Sequence, residues 1–340
     1  MRLRHYLQWH ILHKCNLHCR HCYQEDYSAF MEYPDLMSLL DKYLEYIQLH
    51  NYEGQINLTG GEPLLHPSFF QLAEEIRMRG LRLGVLTNGT LITRETASAL
   101  ARLTPVFVQV SLDGPARIHD DIRGKGNFEK ALAGIDLLKE NGIRVLVSFT
   151  AMKVNCHSFR GLAAICAAHR VDKLWWDRVV SDDPALYLTT EEFKMISREA
   201  AHLAKKYPCI SNSRALQWIP DEHFSVGEKL LKFLLGNWIR EGKGDTCIYE
   251  CSAGKRLLIA LPDGSLMACR RLPFVIGHID DTDNLSDLVD RNPVMRRLAR
   301  SVFADKCMKC KFYLECGGGA RCVTYSQTGK LDLPDVNCYL

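Results

Sequence analysis

The chain has 340 residues, 47% hydrophobic and 24% charged, with a formal net charge of +3. That is enough apolar material for one large domain or two, and the near-balanced charge offers no polybasic surface that would indicate nucleic acid. No run of about 18 apolar residues occurs, so no membrane span is expected; the polar start MRLRHYLQWHILHKC does not read as a signal peptide, and the expected location is the cytoplasm.

In chain order, segment 34–50 places Leu36, Leu40, Tyr43, Leu44 and Ile47 on one helical face. GQINLTGG (54–61) reads as a strand ending in a glycine turn. A helix follows over 69–80, with Ser68 as a cap and Gly80 as terminator. LRLGVLTNG (81–89) is the next strand, and Thr93 opens another helix. PVFVQVSLDG (105–114) is a strand, and 127–142 is a helix with Asn127 as its cap. Segments 143–152 and 171–180 are strands with a helix between them. About six βα units result. Their continuous apolar strands predict a parallel sheet covered by helices, an α/β fold of the partial (β/α)6 TIM-like barrel type. The strands end in Cys15–Cys22, Gly60–Glu62, Asn88, Ser111–Asp113, Ser148 and Arg178. The carboxyl ends of parallel strands are where α/β barrels place their sites. Residues 190–240 look helical, and loops, short strands and cysteines follow after about 245. The expected division is a barrel over 1–220, a helical linker over 221–246 and a cysteine-rich domain over 247–340.

Fourteen cysteines are many for a cytosolic chain, and they are clustered. A disulfide scaffold suits small secreted domains better than this long chain. Cys15, Cys19 and Cys22 form C-x3-C-x2-C, one ligand short of a closed site. A structural zinc ion normally takes four ligands, and His10, His13, His18 or His21 lie close enough in sequence to supply the fourth. The alternative is a [4Fe–4S] cluster whose fourth iron is left open for a small chelating molecule. Eight more cysteines lie between Cys247 and Cys338, spaced C247-x3-C251-x12-G264-x4-C269, then C307-x2-C310-x5-C316-x5-C322, then C338. For the C307-x2-C310 pair alone, zinc stays open.

These motifs closely resemble the radical S-adenosylmethionine (radical SAM) superfamily. The N-terminal triplet reads CNLHCRHCY, with His21 in the usual aromatic position, and TGGEP (59–63), TNG (87–89) and VSLDGP (110–115) follow at successive strand ends. The resemblance implies that Cys15, Cys19 and Cys22 hold a [4Fe–4S] cluster whose open iron binds SAM. Cleavage of SAM would then give a 5′-deoxyadenosyl radical that takes a hydrogen atom from substrate. It also implies that Gly60, Gly61 and Glu62 receive the SAM amino group, that Ser111 and Asp113 meet its ribose or methionine part, and that Arg123 pairs its carboxylate. His21, Asn88, Ser148 and Arg178 join the expected cofactor-binding set.

The later cysteines resemble the SPASM extension of radical SAM peptide-modifying enzymes. By that resemblance, one auxiliary cluster uses Cys247, Cys251, Cys269 and Cys322, and a second uses Cys307, Cys310, Cys316 and Cys338, giving three [4Fe–4S] clusters in all. Two departures stand out: five residues separate Cys316 from Cys322 where the family has three, and Cys247 lies outside the core pattern. The family's formylglycine-forming members carry an aspartate directly after the cysteine of G-x4-C. Arg270 stands there, followed by Arg271, which argues against that activity. Trp175, Trp176, Asp177 and Arg178 at the sixth strand end are candidate substrate-side residues, against ordinary packing. Cys156 is a candidate hydrogen donor, whereas Cys166 looks like a buried helix residue.

The reading is an enzyme that modifies a ribosomally made peptide, by oxidative crosslinking (thioether or C–C) or a related change. The alternatives are a maturase of a small molecule or cofactor and, in another class, a non-enzymatic iron–sulfur electron carrier, which would have no use for the SAM-binding pieces. The implied partners are a peptide, an electron donor such as flavodoxin or ferredoxin, and possible separate leader recognition, since few residues precede Cys15.

Overall fold

The computed structural model describes residues 2–24, 26–210, 251–300, 304–310 and 313–339. Cys247, the linker over 221–246 and the helical expectation beyond residue 210 fall outside them. One sheet organises the molecule. Its strands are β1 (Arg4–His10), β2 (Glu53–Thr59), β3 (Arg82–Thr87), β4 (Phe107–Ser111), β5 (Val145–Ala151), β6 (Lys173–Arg178), β7 (Leu257–Ala260), β8 (Ser265–Met267) and β9 (Val275–His278), in the order β6-β5-β4-β3-β2-β1-β7-β8-β9. Strands β1 to β7 pair in parallel, and β8 and β9 pair antiparallel. Strand β7 from the cysteine-rich part docks in parallel on β1, so that part continues the barrel sheet.

Helices α1 (Tyr33–Leu49), α2 (Phe69–Met78), α3 (Arg94–Arg102), α5 (Asn127–Glu140), α6 (Phe159–Ala168) and α7 (Thr190–Lys206) cover one face of the sheet. Leu36, Leu39, Leu40, Tyr43 and Ile47 of α1 pack on Leu7, Trp9, Ile56 and Leu58 in one continuous core. Each such side chain contributes about 1.5–3 kcal/mol by leaving water.

The strands depart from the continuous apolar reading. In β4 and β5 buried residues alternate strictly with half-buried ones. The reason is the open barrel: one face meets helices, and the other lines a lumen that no helix among the described residues fills. Gln8, Asn57, Gln109, Ser111, Ser148 and Trp175 lie on that inner face, and Trp175 Nε1 donates to Gln109 Oε1 across it (3.2 Å). Strand β6 and the β8–β9 hairpin are at opposite ends of the sheet, yet Arg271, just past β8, bonds to Asp177 of β6. The sheet must curl for its ends to meet, and side chains complete the ring.

Two caps differ from expectation. Ser68 precedes α2 but makes no capping bond. Gly126, at φ +77°, precedes α5, while the Asn127 amide turns back to the Arg123 carbonyl (2.9 Å). Thr93 does cap α3, accepting from the Thr96 amide. Helix α4 (Ala116–Arg123) was not legible in the pattern, and it carries Arg123 to the site. No helix among the described residues is long and apolar enough to cross a membrane.

Candidate active site at the carboxyl ends of the strands

The cysteine loop begins where β1 ends and rests on the turn after β2. Gly61 N donates to Leu12 O and Glu62 N to Lys14 O, both at 2.9 Å. A Cβ on Gly60 would stand 2.3 Å from Leu12 O, and one on Gly61 2.2 Å from Lys14 O. These glycines are therefore required by the backbone of the cysteine loop itself, whatever ligand it holds. Arg20 N bonds Ile122 O (3.0 Å), fastening the loop to α4. Cys15 and Cys19 are half-buried and Cys22 is exposed.

Behind the loop lies a first network. Glu62 is 0% exposed and accepts from Thr87 Oγ1 (2.7 Å), Asn88 N (2.8 Å) and Leu64 N (3.4 Å). Burial pushes its carboxyl up to about 7. Asn88 passes the order on: its Nδ2 donates to Asn16 Oδ1 (2.9 Å) and reaches Cys15 Sγ at 3.9 Å. Glu62 thus binds the end of β2 to the end of β3 and, through Asn88, orients the first cysteine. Burial also raises the Cys15 thiol to about 11, so iron ligation there would release a proton.

A second network supports the other two cysteines. Arg123 Nε donates to Asp113 Oδ2 at 2.6 Å, and Asp113 Oδ1 accepts from Thr150 N (3.0 Å). The resemblance gives Arg123 a ligand carboxylate and Asp113 a ribose. In the structure Asp113 is 0% exposed and takes the Arg123 Nε–H. The remaining guanidinium nitrogens face Cys19 Sγ (Nη1, 3.7 Å) and His21 Nε2 (Nη2, 3.5 Å). Burial lowers His21 to about 4, so at neutral pH its Nε2 can accept from Arg123. Its Nδ1, and both ring nitrogens of His13, are buried without a partner. Three thiols on one short loop, ringed by orphaned polar atoms, fit an iron–sulfur cluster with an additional polar ligand. Ser111 and Ser148 are direct neighbours in register on the lumen face.

Several expected residues lie elsewhere. Arg178 is buried, with Nη1 donating to Asp335 Oδ1 (2.6 Å) and Asn337 Oδ1 (2.7 Å) and Nη2 to Asp335 Oδ2 (2.6 Å). It clamps the C-terminal segment to β6 and is not available to a cofactor. The physical reason is strand alternation: Trp175 and Asp177 face inward, whereas Trp176 and Arg178 face the helices. Trp176 packs edge-on against Phe159 and tilted against Phe193, so it is not a mouth residue. Cys156 is 2% exposed, its Sγ facing Lys153 O at 3.7 Å and lying near His157 and the Glu192 carboxylate at the start of α7. This burial leaves the thiol almost no exposed surface to offer a substrate radical.

The C-terminal thiols gather in two groups. Cys251, Cys269 and Cys322 are mutual neighbours; burial raises Cys269 to about 12, with Cys322 and Cys251 adding to it. Cys307, Cys310, Cys316 and Cys338 line one cavity of about 250 Å³ with Asp335. The long x5 spacing is absorbed by Gly317, Gly318 and Gly319, at φ +59°, +87° and +85°, which turn the chain so that Cys322 enters the helix Arg321–Thr328. Asp335 and Asn337 are functional-looking residues that the sequence did not disclose. Asp335 also accepts from Ala320 N (2.8 Å), and a Cβ on Gly319 would lie 2.3 Å from its Cβ.

A fold of this kind with such a loop defines a radical SAM enzyme. Residues 9–158 match the model of the Radical SAM superfamily. That match implies a [4Fe–4S] cluster and SAM. The chain is 28% identical to the Fe-coproporphyrin III synthase of Methanosarcina barkeri, over 98% of this chain and 87% of that protein. It is 27% identical to the mycofactocin maturase MftC of Mycobacterium ulcerans, over the same shares. The solved structure of native anSMEcpe with bound AdoMet and Cp18Cys peptide superposes with a TM-score of 0.75 at 19% identity, covering 98% of this chain and 94% of that one. The likeness in fold takes in the cysteine-rich part as well as the barrel sheet.

Proposed function

We propose that this chain modifies a ribosomally made peptide: the radical from SAM takes one hydrogen atom, and loss of a proton to solvent and of one electron to an iron–sulfur cluster then closes an oxidative thioether or C–C crosslink. The observation that carries the reading is the inner face of the curled sheet: Gln8, Asn57, Gln109, Ser111 and Ser148 line it beside the cysteine loop, and no helix among the described residues covers it, which would leave room for an extended segment. When bound, a [4Fe–4S] cluster with one open iron supplies the electron that cleaves SAM. The chain's own residues do the rest. Cys15, Cys19 and Cys22 hold the iron, Glu62 and Asn88 set the first thiol, and Asp113 and Arg123 set the second. The similarity to MftC supports a peptide substrate.

The proposal includes two auxiliary clusters, with Cys247 joining Cys251, Cys269 and Cys322 in one and Cys307, Cys310, Cys316 and Cys338 forming the other. It keeps the division at 1–220, 221–246 and 247–340, a flavodoxin- or ferredoxin-type donor and a cytoplasmic setting. A second reading, maturation of a carboxylate-rich tetrapyrrole, is favoured by the similarity to Fe-coproporphyrin III synthase. The deciding experiment is anaerobic incubation of reduced holoenzyme with SAM and with short peptides encoded beside its gene. The expected result is 5′-deoxyadenosine together with a peptide lighter by two hydrogen atoms. Deoxyadenosine with no change in any peptide would reject the peptide reading.

A further inference from the structure

Two consecutive arginines follow Cys269, and they face different ways. Arg271 donates to the Asp177 carboxylate and to the Arg178 carbonyl, and it lies against Cys269 and Cys322. Its charge is matched. Arg270 has no carboxylate partner among the described residues, and its Nε is buried with no hydrogen bond. Its guanidinium carbon sits 4.3 Å from the centroid of the Tyr23 ring. Tyr23 directly follows Cys22, is 48% exposed, and stands within electrostatic reach of Cys22, Cys269 and both arginines. His10 and His13 also feel the Arg270 charge. An imidazole carries no negative charge in either protonation state, and the Asp26 and Asp263 carboxylates, which act on His13, form no ion pair with Arg270.

A half-buried cation that has no carboxylate partner and leaves its Nε–H buried without a hydrogen bond is costly, and retaining one beside the cysteine loop needs a reason. Stacking on Tyr23 uses only the flat face of the guanidinium. It leaves the in-plane N–H groups free, the edge that pairs a carboxylate side-on with two parallel hydrogen bonds. The unpartnered Nε–H belongs to that edge.

We propose that Arg270 anchors a carboxylate of the substrate beside Tyr23, at the seam between the cysteine loop 15–22 and Cys269. The proposal rests on the maturase reading above and names the group recognised: a carboxylate, from an acidic peptide side chain or from a tetrapyrrole propionate.

The test measures binding to anaerobic, reconstituted holoenzyme with two matched probe pairs. One pair is iron coproporphyrin III and its tetramethyl ester; the other is the capped tripeptide glycyl-glutamyl-glycine and its glutamine counterpart. Wild type is expected to prefer the acid member of at least one pair by about tenfold or more, and that pair identifies the source of the carboxylate. Arg270→Gln should abolish the preference by weakening only the acid probe, and Arg270→Lys, which keeps the charge without the fork, should restore part of it. Three results would overturn the proposal. Wild type shows no preference for the acid in either pair; or Arg270→Gln keeps the preference intact; or Arg270→Gln purifies with less iron than wild type, which would make the residue a support for the thiols. Formation of 5′-deoxyadenosine by wild type alone is scored separately. Its presence with no acid preference rejects the subsite only, and its absence rejects the maturase reading only.

Discussion

The two cysteine regions solve opposite problems. Cys15, Cys19 and Cys22 come from one loop of eight residues, so the chain itself brings them together. What the fold adds is orientation, through Glu62 and Asn88 on one side and Asp113 and Arg123 on the other. The C-terminal thiols come from segments as far apart as Cys251 and Cys322, or Cys307 and Cys338, in a region whose helices are mostly short. There the proposed clusters would gather the chain. The first region is a site held by a scaffold, and the second would be in part its own scaffold.

The sharpest way to break that contrast is to remove the N-terminal thiols. The triple variant Cys15→Ala, Cys19→Ala, Cys22→Ala is expected to lose all SAM cleavage while keeping the C-terminal iron and its folded sheet. Deoxyadenosine assay and iron analysis read the two separately, and loss of all iron would show that the regions are not independent. The next largest effect is expected at Cys316→Ser. That variant should lose iron from its group and weaken the C-terminal region by several kcal/mol, because metal binding energy there is folding energy. Limited proteolysis should then cut within 304–339 while 2–206 stays protected; uniform resistance would argue against metal as a scaffold.

The same contrast explains what the sequence disclosed. The βα order, the cysteine loop and the glycine turn were legible because each is a local pattern with a local cause. Arg178 was misread because position at a strand end does not reveal which face a side chain takes, and alternation turned it toward Asp335. Asp335 and Asn337 were invisible because their partner is more than 150 residues away in sequence, at separations of 157 and 159. Helix α4 escaped because it is only eight residues long and strongly polar, with Ile118 and Ile122 its only large apolar side chains. The thiol groupings at the C-terminus followed the family resemblance, and the structure supplies the reason for the irregular spacing in the three consecutive left-handed glycines.

The Arg178 clamp sharpens the comparison at its boundary. Arg178→Met leaves the Asp335 carboxylate buried without its cation and is expected to cost about 3–5 kcal/mol in urea unfolding. Adding Asp335→Leu should recover much of that loss, since an apolar pair can replace a buried ion pair. A double variant as unstable as the sum of the singles would mean that the two residues act separately, with Asp335 needed chiefly for the Ala320 and Asn337 amides.

The smallest expected effect tests the scaffold behind the N-terminal loop. Glu62 has its carboxyl raised by burial to about 7, against hydrogen bonds from Asn88, Thr87 and Leu64 that favour the charged form. The folded state therefore holds this proton more tightly than the unfolded chain. Its contribution to stability is full below the ordinary carboxyl value of 4.5 and is lost as pH rises through about 7. Glutamine keeps one donor and one acceptor, as the protonated acid does, and it does not ionise. The metal-free Glu62→Gln variant should thus match wild type most closely near pH 5 and gain on it by about 1–3 kcal/mol toward pH 8. Histidines that titrate in the same window are common to both proteins and cancel in the difference. Parallel stability curves would mean that Glu62 is ionised throughout, with its three donors outweighing burial, and that the support behind Cys15 is a fixed negative charge.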